Sequence, residues 1–108
     1  LKKETILENA ILKYLSLATK WLFWKNPDQQ ECRNGVYRKH PWSITGISDI
    51  ICCLPNGKTL WVEVKTDTGR QSPAQKQFEK SLTDLGHSYF VVRSLKDIEN
   101  IVKDYQNV

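Results

Sequence analysis

Residues 46–66 read GISDIICCLPNGKTLWVEVKT, and this stretch decides the fold. Ile50 to Leu54 is a short, continuous apolar run, the pattern of a strand buried on both faces. Pro55-Asn56-Gly57-Lys58 follows, and Asn-Gly is among the strongest short-range hairpin signals because both residues accept positive φ. Thr59 to Thr66 supplies the second strand, expected to pair antiparallel with the first. Counting outward from the Asn56-Gly57 pivot sets Asp49 opposite or nearly opposite Glu63 and Lys65. Residues two apart in a strand share a face, so Glu63 and Lys65 project together and Val64 projects the other way. An otherwise apolar strand thus carries a carboxylate and an ammonium side by side. Burying unpaired charge is costly enough that such groups require partners or a metal.

Upstream, Leu7, Ile11, Tyr14, Leu15 and Ala18 recur at helical spacing and predict a helix over about Thr5 to Ala18. Trp21-Leu22-Phe23-Trp24 suits a strand that Asn26-Pro27-Asp28 ends. Gln29 to Thr45, broken by Asn34-Gly35 and Pro41, reads as a long, basic, partly extended loop. Downstream, Ser72 is an N-cap, Pro73 fits the first helical position and Gln75 completes a capping box. Ala74, Phe78, Leu82 and Leu85 form that helix's apolar stripe, and Gly86 closes it. Tyr89 to Val92 is a further buried strand. Ser94 caps a last helix, with Asp97 at the capping-box position and Leu95, Ile98, Val102 and Tyr105 facing inward. The crossover from Trp61 to Val92 is expected to be right-handed with parallel strands. The order αβββαβα over residues 1–108 describes one domain of the α/β class, a mixed central sheet flanked by helices.

A chain of 108 residues buries enough surface to fold without disulfides or a structural metal. Its formal net charge of +4 and pI near 9.0 favour a polyanionic partner, because Lys and Arg contacts to phosphate release counterions. Cys32, Cys52 and Cys53 lack CxxC spacing and read as buried free thiols in a reducing cytoplasm. No apolar run approaches the ~18 residues of a membrane span, and the first residues lack a secretory pattern. No membrane partner is expected.

Two carboxylates converging beside a lysine suit a hard divalent cation, Mg²⁺ or Mn²⁺, which takes one or two carboxylates and completes its shell with water and phosphate. Such an ion polarises a phosphoryl oxygen and activates water. Lys65 could deprotonate that water or neutralise charge in the transition state, and both roles stay open. An ion pair on an edge strand is the plain alternative. In the basic segment, Arg33, Arg38, Lys39 and His40 with Tyr37 and Trp42 combine phosphate-pairing charge with stacking surface. A solvated loop with Trp42 tucked into the core is the competing reading. Lys25 and Arg70 extend the basic track. His40 and His87 lack metal-ligand spacing.

Gly46-Ile47-Ser48-Asp49, Glu63-Val64-Lys65-Thr66 and the run from Gly69 to Phe78 resemble the VRR-NUC family, the virus-type replication-repair branch of the PD-(D/E)xK nucleases. The similarity spans roughly Gly46 to Ile101 and the first helix. It implies a restriction-endonuclease-like αβββαβ core and a metal site of Asp49, Glu63 and the Val64 carbonyl. It also implies a catalytic Lys65, an active-site Gln75 and a supporting acidic residue at Glu8. A capping box explains Gln75 equally, and a solvated helix face explains Glu8. Arg93 matches the family's end-of-strand position or forms a surface salt bridge. Ser48 stands where the superfamily frequently has proline.

The function implied is a Mg²⁺- or Mn²⁺-dependent endonuclease on branched or structured DNA, resembling Holliday-junction resolvases that act as homodimers. A dimer would supply the two sites that symmetric cleavage needs, with Trp21, Phe23 or Trp24 as an interface or, equally, as core. Two alternatives stand beside it: a restriction-like or nicking nuclease on duplex DNA, and a non-catalytic DNA-binding module on the same fold.

Overall fold

The computed structural model describes residues 2–27, 30–33, 35–39 and 41–106, with 30–33 and 36–39 by their backbone alone. Helix α1 (Lys3–Ala18) is followed by β1 (Leu22–Lys25), β2 (Gln30–Arg33), β3 (Val36–Lys39) and β4 (Ile50–Cys53). A 3-10 turn at Pro55–Gly57 leads to β5 (Thr59–Val64), then α2 (Pro73–Asp84), β6 (Ser88–Val92) and α3 (Leu95–Tyr105). The main sheet has the order β1-β4-β5-β6. Strand β4 runs antiparallel to both β1 and β5, and β6 lies parallel to β5. The mixed sheet, the hairpin and the parallel crossover are as the sequence predicts.

The hairpin forms for the expected reason. Asn56 and Gly57 both take positive φ, 65° and 74°, and turn the chain tightly enough for Leu54 N–H to donate to the Lys58 carbonyl at 2.7 Å. The resulting register pairs Ile50 with Val62 and Cys53 with Thr59. Helix α2 begins on the complete Ser72–Gln75 capping box and Pro73. It ends in a Schellman arrangement: Gly86 N–H donates to Thr83 O, His87 N–H donates to Leu82 O, and Gly86 sits at φ +90°. In α3 the Ser94 hydroxyl accepts from Asp97 N–H, but the Asp97 carboxylate reaches one residue further back, to Arg93 N–H at 2.8 Å.

Three expectations need correction. The segment from Gln29 to Thr45 is not a loop throughout: β2 and β3 pair as a separate antiparallel ribbon, with Gly35 turning at φ +75°. Asn34-Gly35 is the same hairpin signal that built β4–β5. Leu85 does not join the apolar stripe of α2, since it is the C-cap residue and 76% exposed. Leu95 likewise lies outward on the first turn of α3. Of the aromatics at and just before β1, Trp21 and Phe23 pack against the core, whereas Trp24 is exposed and donates from Nε1 to Asn26 Oδ1.

The two faces of the sheet differ in chemistry. On one face Ile50, Cys52, Leu60, Val62, Val64 and Val92 pack with Ile11 and Leu15 of α1 and Ile98 and Val102 of α3. Each such side chain contributes about 1.5–3 kcal/mol when fully buried, so this dry face supplies most of the stability. Burial also pushes the Cys52 thiol up to about 12, and both Cys52 and Cys53 are free; the Cys32 side chain lies outside the described residues. On the other face α2 covers less: Phe78 and Leu82 pack on Tyr89, with Trp61 and Phe78 edge-to-face at 5.6 Å. Among the described residues no helix is long and apolar enough to cross a membrane.

Gly46 locks the approach to β4. It takes φ +81°, and a Cβ there would fall 2.4 Å from the Ala74 carbonyl carbon and 2.6 Å from Gln75 N. The chain thus passes directly over the N-terminal turn of α2. Gly46→Ala is expected to cost about 2–4 kcal/mol, backbone strain and overlap together. Gly57→Ala, at φ +74° with nothing within 4 Å, should lose only about 1 kcal/mol of strain. Denaturant titration measures both, and equal losses would refute the close contact.

Candidate active site

The β4–β5 register, continued one step past Ile50–Val62, sets Asp49 directly opposite Glu63. Of the two positions the sequence left open, Glu63 is the one realised. Asp49 is anchored there on both sides. Its Oδ2 accepts from Val64 N–H at 2.7 Å, and its backbone carbonyl accepts from Asn26 N–H at 2.7 Å. Asn26 also donates from Nδ2 to the Ser48 carbonyl at 2.9 Å, and fully buried Ser48 continues the ladder.

Glu63 is 1% exposed, facing α2 rather than solvent. Gln75 Nε2 donates to its Oε2 at 3.0 Å, the Tyr89 hydroxyl donates to its Oε1 at 3.4 Å, and Lys65 Nζ stands 3.9 Å from Oε2. Lys65 is itself buried and fixed at the strand end by its N–H, which donates to Val92 O at 2.9 Å. Gln75 closes the capping box and at the same time reaches the Glu63 carboxylate. Its Oε1 accepts from Ser72 N–H at 2.8 Å to close the capping box, which orients Nε2 as a donor toward Glu63.

Burial is the largest cause raising the Glu63 pKa, the neighbouring Asp49 carboxylate raises it further, and Lys65 offsets only part of this. Glu63 therefore keeps its proton well above the usual carboxylate range. A divalent cation beside both groups would reverse that balance. Asp49, Glu63 and the Val64 carbonyl at the end of β5 offer an all-oxygen set of the kind Mg²⁺ and Mn²⁺ take, although no group of three His, Cys, Asp or Glu side chains suited to an ion occurs among the described residues. The residues present fit an ion that relies on two carboxylates, a carbonyl and water.

Glu8 is not on a solvated face: it is 5% exposed and borders a cleft of about 600 Å³ together with Lys2, Lys25, Asn26 and Asp49. Lys25 Nζ lies 2.7 Å from Glu8 Oε1 in an ion pair whose geometry leaves that buried oxygen without a regular hydrogen bond, and the contact with Glu8 raises the Lys25 pKa. Arg70 is exposed on the loop after β5 and does not border the cleft. Trp42 is 89% exposed, so it is not tucked into the core. The side chains of Arg33, Arg38, Lys39 and His40 lie outside the described residues. The Arg93 guanidinium donates to the carbonyls of Thr66 and Gly69, both at 2.7 Å, and so pins the loop that follows Lys65.

Tyr89 is the site residue that sequence reasoning missed. Its hydroxyl also receives a bond from Gln71 Nε2 at 3.3 Å, and burial, then the Glu63 charge, raises its pKa. A tyrosine inside a buried strand, at odd parity with Glu63, was the available signal, because a buried hydroxyl needs a partner.

A solved structure described as "VRR_NUC domain" aligns with 97% of this chain and 99% of its own at TM-score 0.69 and 22% sequence identity. No protein-family model and no curated protein matches the chain. At this identity the likeness shows the fold, and the mixed α/β sheet flanked by helices is the architecture expected.

The Glu63 shift has a measurable consequence. An unfolded chain ionises Glu63 near 4.5, while the folded protein retains the proton to higher pH. Between those values the unfolded state loses a proton that the folded state keeps, so stability falls as pH rises through the window. In chelator, Glu63→Gln is expected to melt higher than wild type, by a margin that widens from acidic toward neutral pH. Parallel melting curves for the two proteins across that range would contradict the assignment.

Proposed function

We propose that this chain is a Mg²⁺- or Mn²⁺-dependent nuclease that hydrolyses phosphodiester bonds in DNA. The observation that carries the reading is a buried Glu63 opposite Asp49, held by Gln75 and Tyr89, with Lys65 Nζ 3.9 Å from its Oε2. Asp49, Glu63 and the Val64 carbonyl would hold the ion. When bound, it would polarise the scissile phosphate and lower the pKa of a water. Tyr89 and Gln75 hold the Glu63 oxygens in place, so the carboxylate does not reorient as its proton leaves. The Val64 N–H does the same for Asp49. Lys65, with its ammonium beside Glu63 in a nearly dry setting, is placed to neutralise the phosphate's growing charge or to orient the attacking water.

DNA is the substrate class we favour. The net charge of +4 supports it, as does the solved VRR_NUC domain of the same fold. Exposed Arg70 and Trp42 offer phosphate-pairing and stacking surface, and the sequence adds Arg33, Arg38, Lys39 and His40 as further candidates. We further propose branched or structured DNA as the preferred form, resolved by a homodimer that brings two sites to one junction.

A labelled panel of linear, flap, fork and four-way DNAs, each with Mg²⁺, Mn²⁺ or chelator, tests this reading. Cleavage is expected only with metal and fastest on branched forms. Asp49→Asn and Lys65→Ala should still bind DNA while cutting at least ~100-fold more slowly. Binding should weaken steeply with salt. Fastest cutting of linear duplex would favour the nicking alternative, and a wild type that binds without ever cutting would leave a DNA-binding module.

A further inference from the structure

Lys65 is aimed by something other than a bond at its tip. Its Nζ stands 3.9 Å from Glu63 Oε2, beyond hydrogen-bond reach, and Glu63 is its one ion-pair partner among the described residues. A lysine side chain keeps several rotamers unless its aliphatic stem is packed. The Lys65 side chain is only 11% exposed, so its stem is covered. The turn that follows supplies part of that cover. Gly69 N–H donates to the Thr66 carbonyl at 3.2 Å, and a Cβ built on Gly69 would lie 3.6 Å from Lys65 Cδ. The backbone at Gly69 therefore lies against the stem of Lys65.

Side-chain packing does little to hold that turn in place. Asp67 and Thr68 are exposed, and a cavity of about 290 Å³ is bordered by Thr66, Asp67, Thr68 and Arg93 together with Lys3 and Leu7 of α1. Arg93 holds the turn instead. Its Nη1 donates to the carbonyls of Thr66 and Gly69, the two ends of the turn, both at 2.7 Å. Arg93 is itself fixed, because its N–H donates to Asp97 Oδ2 at 2.8 Å in the first turn of α3. The residue before it, Val92, accepts from Lys65 N–H at 2.9 Å. Backbone and stem of Lys65 are thus both held from the end of β6. We propose that Arg93 is a positioning residue: by clamping the turn over residues 66–69 it packs that turn on the Lys65 stem and keeps the ammonium beside Glu63. The consequence for cutting rests on the reading of Lys65 as a participant in hydrolysis, whereas the placement of Lys65 does not.

Amine labelling tests the placement without any cutting. The protein receives a trace of acetylating reagent, and the rate at each lysine is read by peptide mass spectrometry, with exposed Lys80 and Lys96 as references. In Arg93→Ala, and in the milder Arg93→Gln, Lys65 is expected to label at least ~10-fold faster than in wild type while the references keep their rates. Free guanidinium ion, at a concentration that leaves wild type unchanged, should slow Lys65 again in Arg93→Ala, and sodium chloride of equal ionic strength should not. Unchanged Lys65 labelling in both variants would overturn the proposal. Loss of the folded circular dichroism signal in both would make Arg93 a residue of general stability and overturn it too. In DNA cleavage, the kcat losses of Arg93→Ala and Lys65→Ala should not add, and Arg93→Ala should leave KM within ~2-fold of wild type. Additive losses, or a raised KM at unchanged kcat, would make Arg93 a phosphate contact instead. A wild type that cuts no DNA with any metal removes the nuclease reading, while the labelling still decides the clamp.

Discussion

Asp49 and Glu63 face one another across neighbouring strands, and α2 seals Glu63 from water, so burial and the Asp49 charge both work against ionising Glu63. Much of the surrounding structure manages that conflict. Gln75 and Tyr89 donate to Glu63, Val64 N–H donates to Asp49, and Lys65 stands close enough to soften the repulsion without cancelling it. A fully compensated pair would be stable and inert. Under the proposed function, an incompletely compensated pair would retain affinity for an ion that brings more charge than a lysine can.

Gln75 links that site to the start of a helix. One amide oxygen satisfies the Ser72 N–H, one amide nitrogen meets Glu63, and neither can be exchanged without losing the other. Gly46 presses on the same turn from above, where no Cβ has room. The chain entering β4 toward Asp49 and the helix carrying Gln75 are therefore held against each other within a few ångströms of the two carboxylates. The positional accuracy that hydrolysis of a phosphodiester would demand comes from this packing.

How much of this was legible follows from how local each signal is. The β4–β5 hairpin could be read because Asn56-Gly57 fixes the turn, and the turn fixes the register by counting. Both caps of α2 were legible for the same reason. Leu85 misled because an apolar residue at helical spacing can fall one position past the last turn, where nothing packs over it. The β2–β3 ribbon was missed because its strands are basic and polar, leaving Asn34-Gly35 as the main clue. Tyr89 and the Lys25–Glu8 pair were the hardest, since their partners lie 26 residues or one whole helix away and no local pattern joins them. Lys25 could be read as basic surface, but its contact with a buried glutamate belongs to the tertiary fold alone.

The distribution of chemistry over the sheet explains how one small domain can carry such a site. Apolar side chains from α1 and α3 close one face completely, and that face holds the chain folded whether or not the other face is comfortable. The α2 face holds a smaller apolar cluster beside a polar network. Strand alternation keeps the two apart: even-numbered residues of β5 go to the dry core, while Trp61, Glu63 and, just beyond the strand, Lys65 go to the other side. A one-residue slip in β5 would bury Glu63 among Ile11 and Leu15 and turn Val62 and Val64 outward. The cost of that slip enforces the register, so the same alternation that builds the core also delivers Glu63 to Asp49.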